Sequence, residues 1–285
     1  MKVALSGATG FIGQALLTKM REKEWSVTAI DRESFSLTDE EFRSKKIEGM
    51  DAIINLAGAP VSKKWTVQYK QEIHDSRILS TRKIVENIQT ARQKPSAFIS
   101  ASAIGIYDST RTHTEASTHF SGSFLSHVCR NWEKEALSAA ETTRVVIFRT
   151  GVVLGSGGGA LEKMHFPFSV GLGGKMGKGN QPFSFIHIHD LVNAFIFAIE
   201  NHAITGIVNA VSPFPSTNAE FTTLLGKVLK QPAWLTIPEF ALKFKFGEGA
   251  QILLEGQKVI PEKLLKSGFQ FRYPTLQNTL VRIYG

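Results

Sequence analysis

Lys2-Val3-Ala4-Leu5-Ser6-Gly7-Ala8-Thr9-Gly10-Phe11-Ile12-Gly13 is the stretch on which the fold turns. A short apolar, β-prone run enters a glycine triplet, and a helical pattern leaves it over residues 14–22. Gly7 permits a tight turn, Gly10 lets the backbone approach a pyrophosphate, and Gly13 lets the helix pack closely on the strand. Free N–H groups and the positive end of the helix dipole then favour an anion at that point. The next β-like run, residues 26–30, ends at Asp31-Arg32 and completes a βαβ unit. Asp31 stands 18 positions after Gly13, where an acidic residue can accept hydrogen bonds from an adenosine ribose. Arg32 beside it suits a 2′-phosphate instead. The cofactor expected at Gly7, Thr9, Gly10, Phe11, Ile12, Gly13, Asp31 and Arg32 is therefore NAD or NADP, with Asp31 favouring NAD and Arg32 favouring NADP.

Outward from this unit, apolar runs recur at residues 52–56, 97–100 and 145–149, separated by helical periodicity over 67–91 and 124–140. Strands alternating with helices predict an α/β fold, a Rossmann-like doubly wound parallel sheet. The character changes after Thr150. About ten of the 24 glycines fall between Gly151 and Gly179, a density that predicts a loop over a ligand site rather than a regular helix. Residues 184–187 and 207–210 read as returns to the sheet around a helix at 190–201. Prolines then punctuate short elements from Pro213 to Pro274, the pattern of a smaller C-terminal α+β lobe. The expected division is 1–155 with 184–212 as the dinucleotide-binding domain, and 156–183 with 213–285 as the substrate lobe.

Composition narrows the class. The chain has 285 residues, 42% of them hydrophobic and 20% charged, which excludes disordered and fibrous architectures. One cysteine, Cys129, excludes a disulfide framework or a cysteine-built zinc site and fits a reducing compartment. The net charge of +8 favours anionic ligands, but Lys and Arg are spread along the chain without a basic block, so nucleic acid is not an expected partner. No signal-like core or membrane-length apolar run is read, and the expected location is the cytoplasm, as a monomer or homodimer.

Several segments carry a family resemblance. With Gly7 to Gly13 go Asn55-Leu56-Ala57-Gly58 and Ser100-Ala101-Ser102-Ala103-Ile104-Gly105-Ile106-Tyr107, and together they resemble the extended or atypical short-chain dehydrogenases/reductases. Val128-Cys129-Arg130-Asn131-Trp132-Glu133, Arg149-Thr150-Gly151, Phe185-Ile186-His187-Ile188-His189-Asp190 and Gly268-Phe269-Gln270-Phe271 sharpen the match. The chain looks like the sugar-nucleotide epimerase-like members of the NAD-dependent epimerase/dehydratase family, whose C-terminal domain has no assigned function. The resemblance adds Leu56, Ala57, Gly58 and Arg77 to the expected cofactor contacts, with Arg77 replacing the usual asparagine. It also implies a Tyr-x-x-x-Lys pair on the helix near residues 124–140, but Leu125 and Cys129 occupy those places. Leucine transfers no proton, so the usual mechanism is absent as written. Members that hold nucleotide sugars carry an arginine before Phe-Ile-His, where this chain has Gln181-Pro182-Phe183-Ser184.

The remaining candidates are weighed residue by residue. Ser102, Cys129 and Tyr107 are the candidate catalytic groups, against bland roles as a strand-end cap, a small buried hydrophobe and a structural phenol. Ser102, Arg149, Gly173 and Gly174 are the candidate substrate contacts, with Arg77 and Arg149 equally able to brace loops. His187-x-His189-Asp190 invites a metal reading, but Asp190 has the look of a helix N-cap, and no metal is expected. Two functions remain: an oxidoreductase or isomerase acting on a small polar substrate, and a non-catalytic dinucleotide sensor.

Overall fold

The protein is described by a computed structural model covering residues 1–285. Six parallel strands form its centre: β1 (Lys2–Ser6), β2 (Ser26–Ile30), β3 (Ala52–Asn55), β4 (Ala97–Ala103), β5 (Arg144–Thr150) and β6 (Gly206–Ala210). Their spatial order is β6-β5-β4-β3-β1-β2. The chain runs outward from β1 to β2 and then crosses back to β3, so the order reverses between β1 and β3. Ligands of open α/β sheets sit in the crevice at the carboxyl ends of such strands.

Burial on both faces explains why these strands read as continuous apolar runs rather than as alternating ones. One face packs on α1 (Phe11–Glu22) and, later in the chain, the helix Ile188–Glu200, through Leu16, Met20, Leu191 and Phe195. The opposite face is covered by α2 (Val67–Thr90) and α3 (Phe124–Leu137), through Ile84, Ile88, Ala136 and others. A third core gathers Leu154, Leu161, Phe168, Phe185, Phe221, Leu225, Leu276 and Leu280. The C-terminal segment is not confined to it, because Leu264 and Phe269 enter the first core.

Three expectations need correction. The glycine-rich region holds a helix, α4 (Gly159–Ser169), because its glycines flank that segment: after Gly159 the next is Gly171. Residues 185–187 form a strand, but it pairs with the short strand Val152–Leu154 in a separate ribbon, outside the six-stranded sheet. α1 also begins at Phe11, earlier than the apolar periodicity alone predicted.

Candidate functional site

The glycine turn is built as its spacing requires. Gly7 has φ +69°, a left-handed conformation, and a Cβ there would lie 2.8 Å from the Leu56 carbonyl oxygen. A Cβ on Gly13 would lie 2.2 Å from the Gly7 oxygen, which keeps the helix tight against the turn. Gly10 is the N-cap of α1, and no side chain caps this helix end. Its first N–H groups therefore face the β1/β3 crevice without a protein side chain to satisfy them, which is the donor set a diphosphate fits. Gly10 itself is exposed, so space exists for a ligand to come against the backbone.

Phe11 ties this turn to the glycine-rich segment. Added Cβ atoms at Gly155, Gly158 and Gly159 would all come within about 3 Å of its ring, so the glycines let that segment lie against the glycine turn. Thr9, Phe11, Gln14, Gly157, Gly158 and Ile188 are among the residues lining a cleft of about 460 Å³ there. A larger surface cleft of about 640 Å³, near Phe214 and Leu276, contains none of the expected site residues.

Buried polar contacts fix the crevice walls. Ser6 Oγ donates to Asn55 Oδ1 at 2.6 Å and accepts from the N–H groups of Leu56 and Ala57 at 3.0 and 3.1 Å. Asn55 Nδ2 and Trp132 Nε1 both donate to Thr81 Oγ1, each at 2.8 Å. Ser6, Asn55 and Thr81 were not among the expected site residues. The polar Ser6 ending an otherwise apolar strand was the available signal.

At the end of β2 the two selector residues differ in what they hold. Asp31 Oδ1 accepts from Ser34 N–H at 2.8 Å and Ser34 Oγ at 2.5 Å. These hydrogen bonds hold its carboxyl below the usual range. Arg32 is exposed and makes no ion pair.

Two of the candidate catalytic groups, Ser102 and Tyr107, lie in one buried chain. Ser102 Oγ donates to Glu133 Oε1 at 2.6 Å. Arg149 grips the same carboxylate through Nε to Oε1 at 2.8 Å and Nη2 to Oε2 at 2.6 Å. Its Nη1 donates to Tyr107 Oη at 2.8 Å, and that hydroxyl donates onward to Asn209 Oδ1 at 2.9 Å. Tyr107 has no exposed surface, and burial pushes its phenol up. Arg149 is 4% exposed, so it braces Glu133 instead of meeting an anionic substrate. Glu133, which was not among the expected site residues, proves to be the hub. A charge on a mostly buried helix face was the sequence signal for it.

Other expectations fall to packing. Cys129 sits among Ile104, Ile106, Tyr107, Val211 and Val259, and burial pushes its thiol up to about 11, so it is not poised as a thiolate. Arg77 directs Nη1 and Nη2 to the carbonyls of Ile73 and Ala59, at 2.9 and 3.0 Å, and lies over Trp132. It shapes the loop after β3, and Gly58 is needed because a Cβ would strike its guanidinium at 2.9 Å. Gly173 is closed by Phe168, and Gly174 by Leu235 on a paired strand, so neither is open to cradle a substrate phosphate.

The helix after residue 187 also differs from expectation. His187 supplies the N-cap, accepting from His189 N–H at 3.0 Å. Asp190 instead accepts the backbone N–H groups of Arg272 and Tyr273 at 3.0 and 2.8 Å, tying in the C-terminal segment. Burial holds the His187 imidazole down at about 4. No group of three or more potential ligands in the structure is arranged to hold a metal ion. No helix is long and apolar enough to cross a membrane.

Comparison with known proteins agrees with this geometry. The Arabidopsis thaliana "Epimerase family protein SDR39U1 homolog, chloroplastic" is 39% identical, matching 98% of this chain and 86% of its own length. The Homo sapiens "Epimerase family protein SDR39U1" is 36% identical, with 99% of each chain covered. A crystal structure of the human protein with NADPH superposes at a TM-score of 0.93 and 34% identity, covering 100% of this chain and 99% of that one. Residues 237–283 match a domain of unknown function, DUF1731. Residues 3–210, which include the glycine turn and the Ser102–Glu133–Arg149 chain, match the family model, and the protein belongs to the NAD dependent epimerase/dehydratase family.

Proposed function

We propose that this chain is a dinucleotide-dependent oxidoreductase that binds NADP(H) at the glycine turn and works without a side-chain proton donor. The observation that carries the reading is the uncapped, glycine-lined end of α1 opening into the β1/β3 crevice. Gly7, Thr9, Gly10, Phe11, Ile12 and Gly13 would hold the diphosphate, and the loop from Leu56 to Gly58 would lie along the dinucleotide. The bound nicotinamide would supply the hydride. The protein's own part is to hold the ring, exclude water and shape the space above β4. Segments 156–183 and 213–285 would form the lobe that encloses the second ligand.

NADP is favoured over NAD by two facts. Asp31 is engaged with Ser34, while Arg32 is exposed and without an ion-pair partner. The human relative's crystal structure contains NADPH. Calorimetry tests this directly. Arg32→Ser should weaken NADPH binding about tenfold and leave NADH nearly unchanged, because only the 2′-phosphate loses a partner. Equal losses for both nucleotides would remove Arg32 from the phosphate.

A second reading, a non-catalytic sensor, is favoured by the sealed state of Ser102, Tyr107 and Cys129. Transfer of labelled hydride from the reduced cofactor to any acceptor separates the two. Tight cofactor binding without transfer to any acceptor supports the sensor.

A further inference from the structure

The surface formed by the loop after β3 and the start of α3, beside the end of β4, is largely apolar, because most of its polar groups are turned inward. In the loop after β3, Trp65 Nε1 donates to the Val61 carbonyl at 2.9 Å, and Tyr69 Oη donates to the Pro60 carbonyl. Ser76 Oγ accepts from Ala59 N–H at 2.9 Å, and Arg77 holds the Ala59 carbonyl at 3.0 Å. At the start of α3, Ser126 Oγ donates to the Ile106 carbonyl at 2.9 Å. What remains partly exposed is an apolar ledge of Val61, Phe124 and Leu125, packed on Trp65, Tyr69, Ile73 and Val128. Leu125 stands over the end of β4, 4.0 Å from where a Gly105 Cβ would be. The C-terminal lobe reaches over the ledge: Lys70 pairs with Glu248 at 2.5 Å, and Gly249 lies against the Trp65 ring.

Resting on the NADP(H) reading above, we infer that this ledge binds a flat, apolar, conjugated dicarbonyl ring, a quinone, as the hydride acceptor. An ordinary ketone builds alkoxide charge as hydride arrives and needs an acid at that oxygen. The ledge offers no free one: Leu125 has no proton, the hydroxyls of Ser102 and Tyr107 are bound in the buried chain, and the Lys70 ammonium over the Phe124 ring is held by Glu248. A quinone needs no such acid. It takes the hydride from C4 of the dihydronicotinamide, whose C–H bond breaks with its electron pair, and becomes a hydroquinone monoanion. That anion spreads its charge over the conjugated ring and collects one proton from water, while the cofactor leaves oxidised by two electrons. A sugar ring, studded with hydroxyls, would leave most of them without partners on the same surface.

The test separates this inference from the reading beneath it. Calorimetry with NADPH alone comes first, and no binding there would sink the dinucleotide reading itself. Protein loaded with NADP⁺ is then titrated with menadione, a simple naphthoquinone, which reports equilibrium binding without turnover. Saturable binding is expected, weakened about tenfold in Leu125→Asp, and similarly in the milder Val61→Ser should the first variant fold poorly. With NADPH loaded, menadione should oxidise the cofactor in a single turnover whose rate stays flat from about pH 6 to about pH 9, because no protein group supplies the proton. The inference is overturned if NADPH binds but menadione does not. It is equally overturned if an aliphatic ketone or a UDP-sugar is turned over in preference, or if the rate follows a protein ionisation.

Discussion

Replacing Arg149 with Met tests the buried chain of Ser102, Glu133, Arg149 and Tyr107. The side chains of Arg149 and Glu133 are 5% and 7% exposed, and the guanidinium makes three hydrogen bonds, two to Glu133 and one to Tyr107. Methionine fills much of the arginine stem's volume but leaves the carboxylate with Ser102 as its one remaining side-chain donor. Removing one partner of a buried pair costs about 3–5 kcal/mol, because the other charge stays buried without compensation. That is a large part of the roughly 5–15 kcal/mol by which folded proteins are stable. In urea, at a slope of about 1–3 kcal/mol per molar, the midpoint should fall by at least about 1 M with little change in slope. Glu133→Gln alone should also destabilise. Glu133→Gln with Arg149→Met should cost less than the two single changes summed, by about 2 kcal/mol, because both members of the pair are then neutral. Strict additivity, or a loss below about 1 kcal/mol for Arg149→Met, would refute a buried pair. Cofactor affinity measured on the folded variant should change little. Loss of binding in folded protein would mean that Arg149 reaches the ligand.

Other positions give separate readouts. Gly10→Val should leave the apo melting temperature nearly unchanged, since Gly10 is exposed at φ −77° and its Cβ would meet only the Gly7 oxygen, at 3.3 Å. Its side chain would fill the diphosphate position, so calorimetry should show NADPH binding weakened by about a hundredfold or more. His187 is neutral when folded, with its pKa depressed to about 4 against an ordinary 6.5. The unfolded chain therefore takes up a proton first, and stability should fall as pH drops from about 6.5 to about 4. His187→Asn, which keeps a capping oxygen, should flatten that part of the pH–melting curve; an unchanged acid limb would show that other groups control it. Cys129 should resist iodoacetamide at neutral pH until denaturant opens the core, as followed by mass spectrometry. Its folded pKa, raised from 9.0 to about 11, also makes stability fall as pH rises through that interval, and rapid native-state labelling would contradict its burial.

The chain's local rules were enough for its N-terminal half. The turn from Gly7 to Gly13 and the alternation of apolar runs with helical periods announce a parallel sheet, because backbone conformation and burial period are short-range properties written in consecutive residues. Leu125, at the place where the family resemblance implies a tyrosine, was legible too, since residue identity decides that leucine carries no proton donor. What consecutive residues do not carry is the direction in which a polar side chain points. Ser102 and Arg149 read as ligand contacts because they lie near strand ends at the carboxyl edge of the sheet, and Tyr107 because it follows the Ser102 strand. Only packing brought Glu133 across from α3 to claim Ser102 and Arg149, 31 and 16 positions away in the chain. The glycines from Gly155 to Gly159 likewise suggested a slack loop, and their purpose became visible only with the Phe11 ring laid against them. Contacts between residues far apart in the chain decide which polar groups are satisfied internally. What those contacts leave open at the glycine turn is the uncapped start of α1, beside Thr9, Gln14 and the glycines from Gly157 to Gly159.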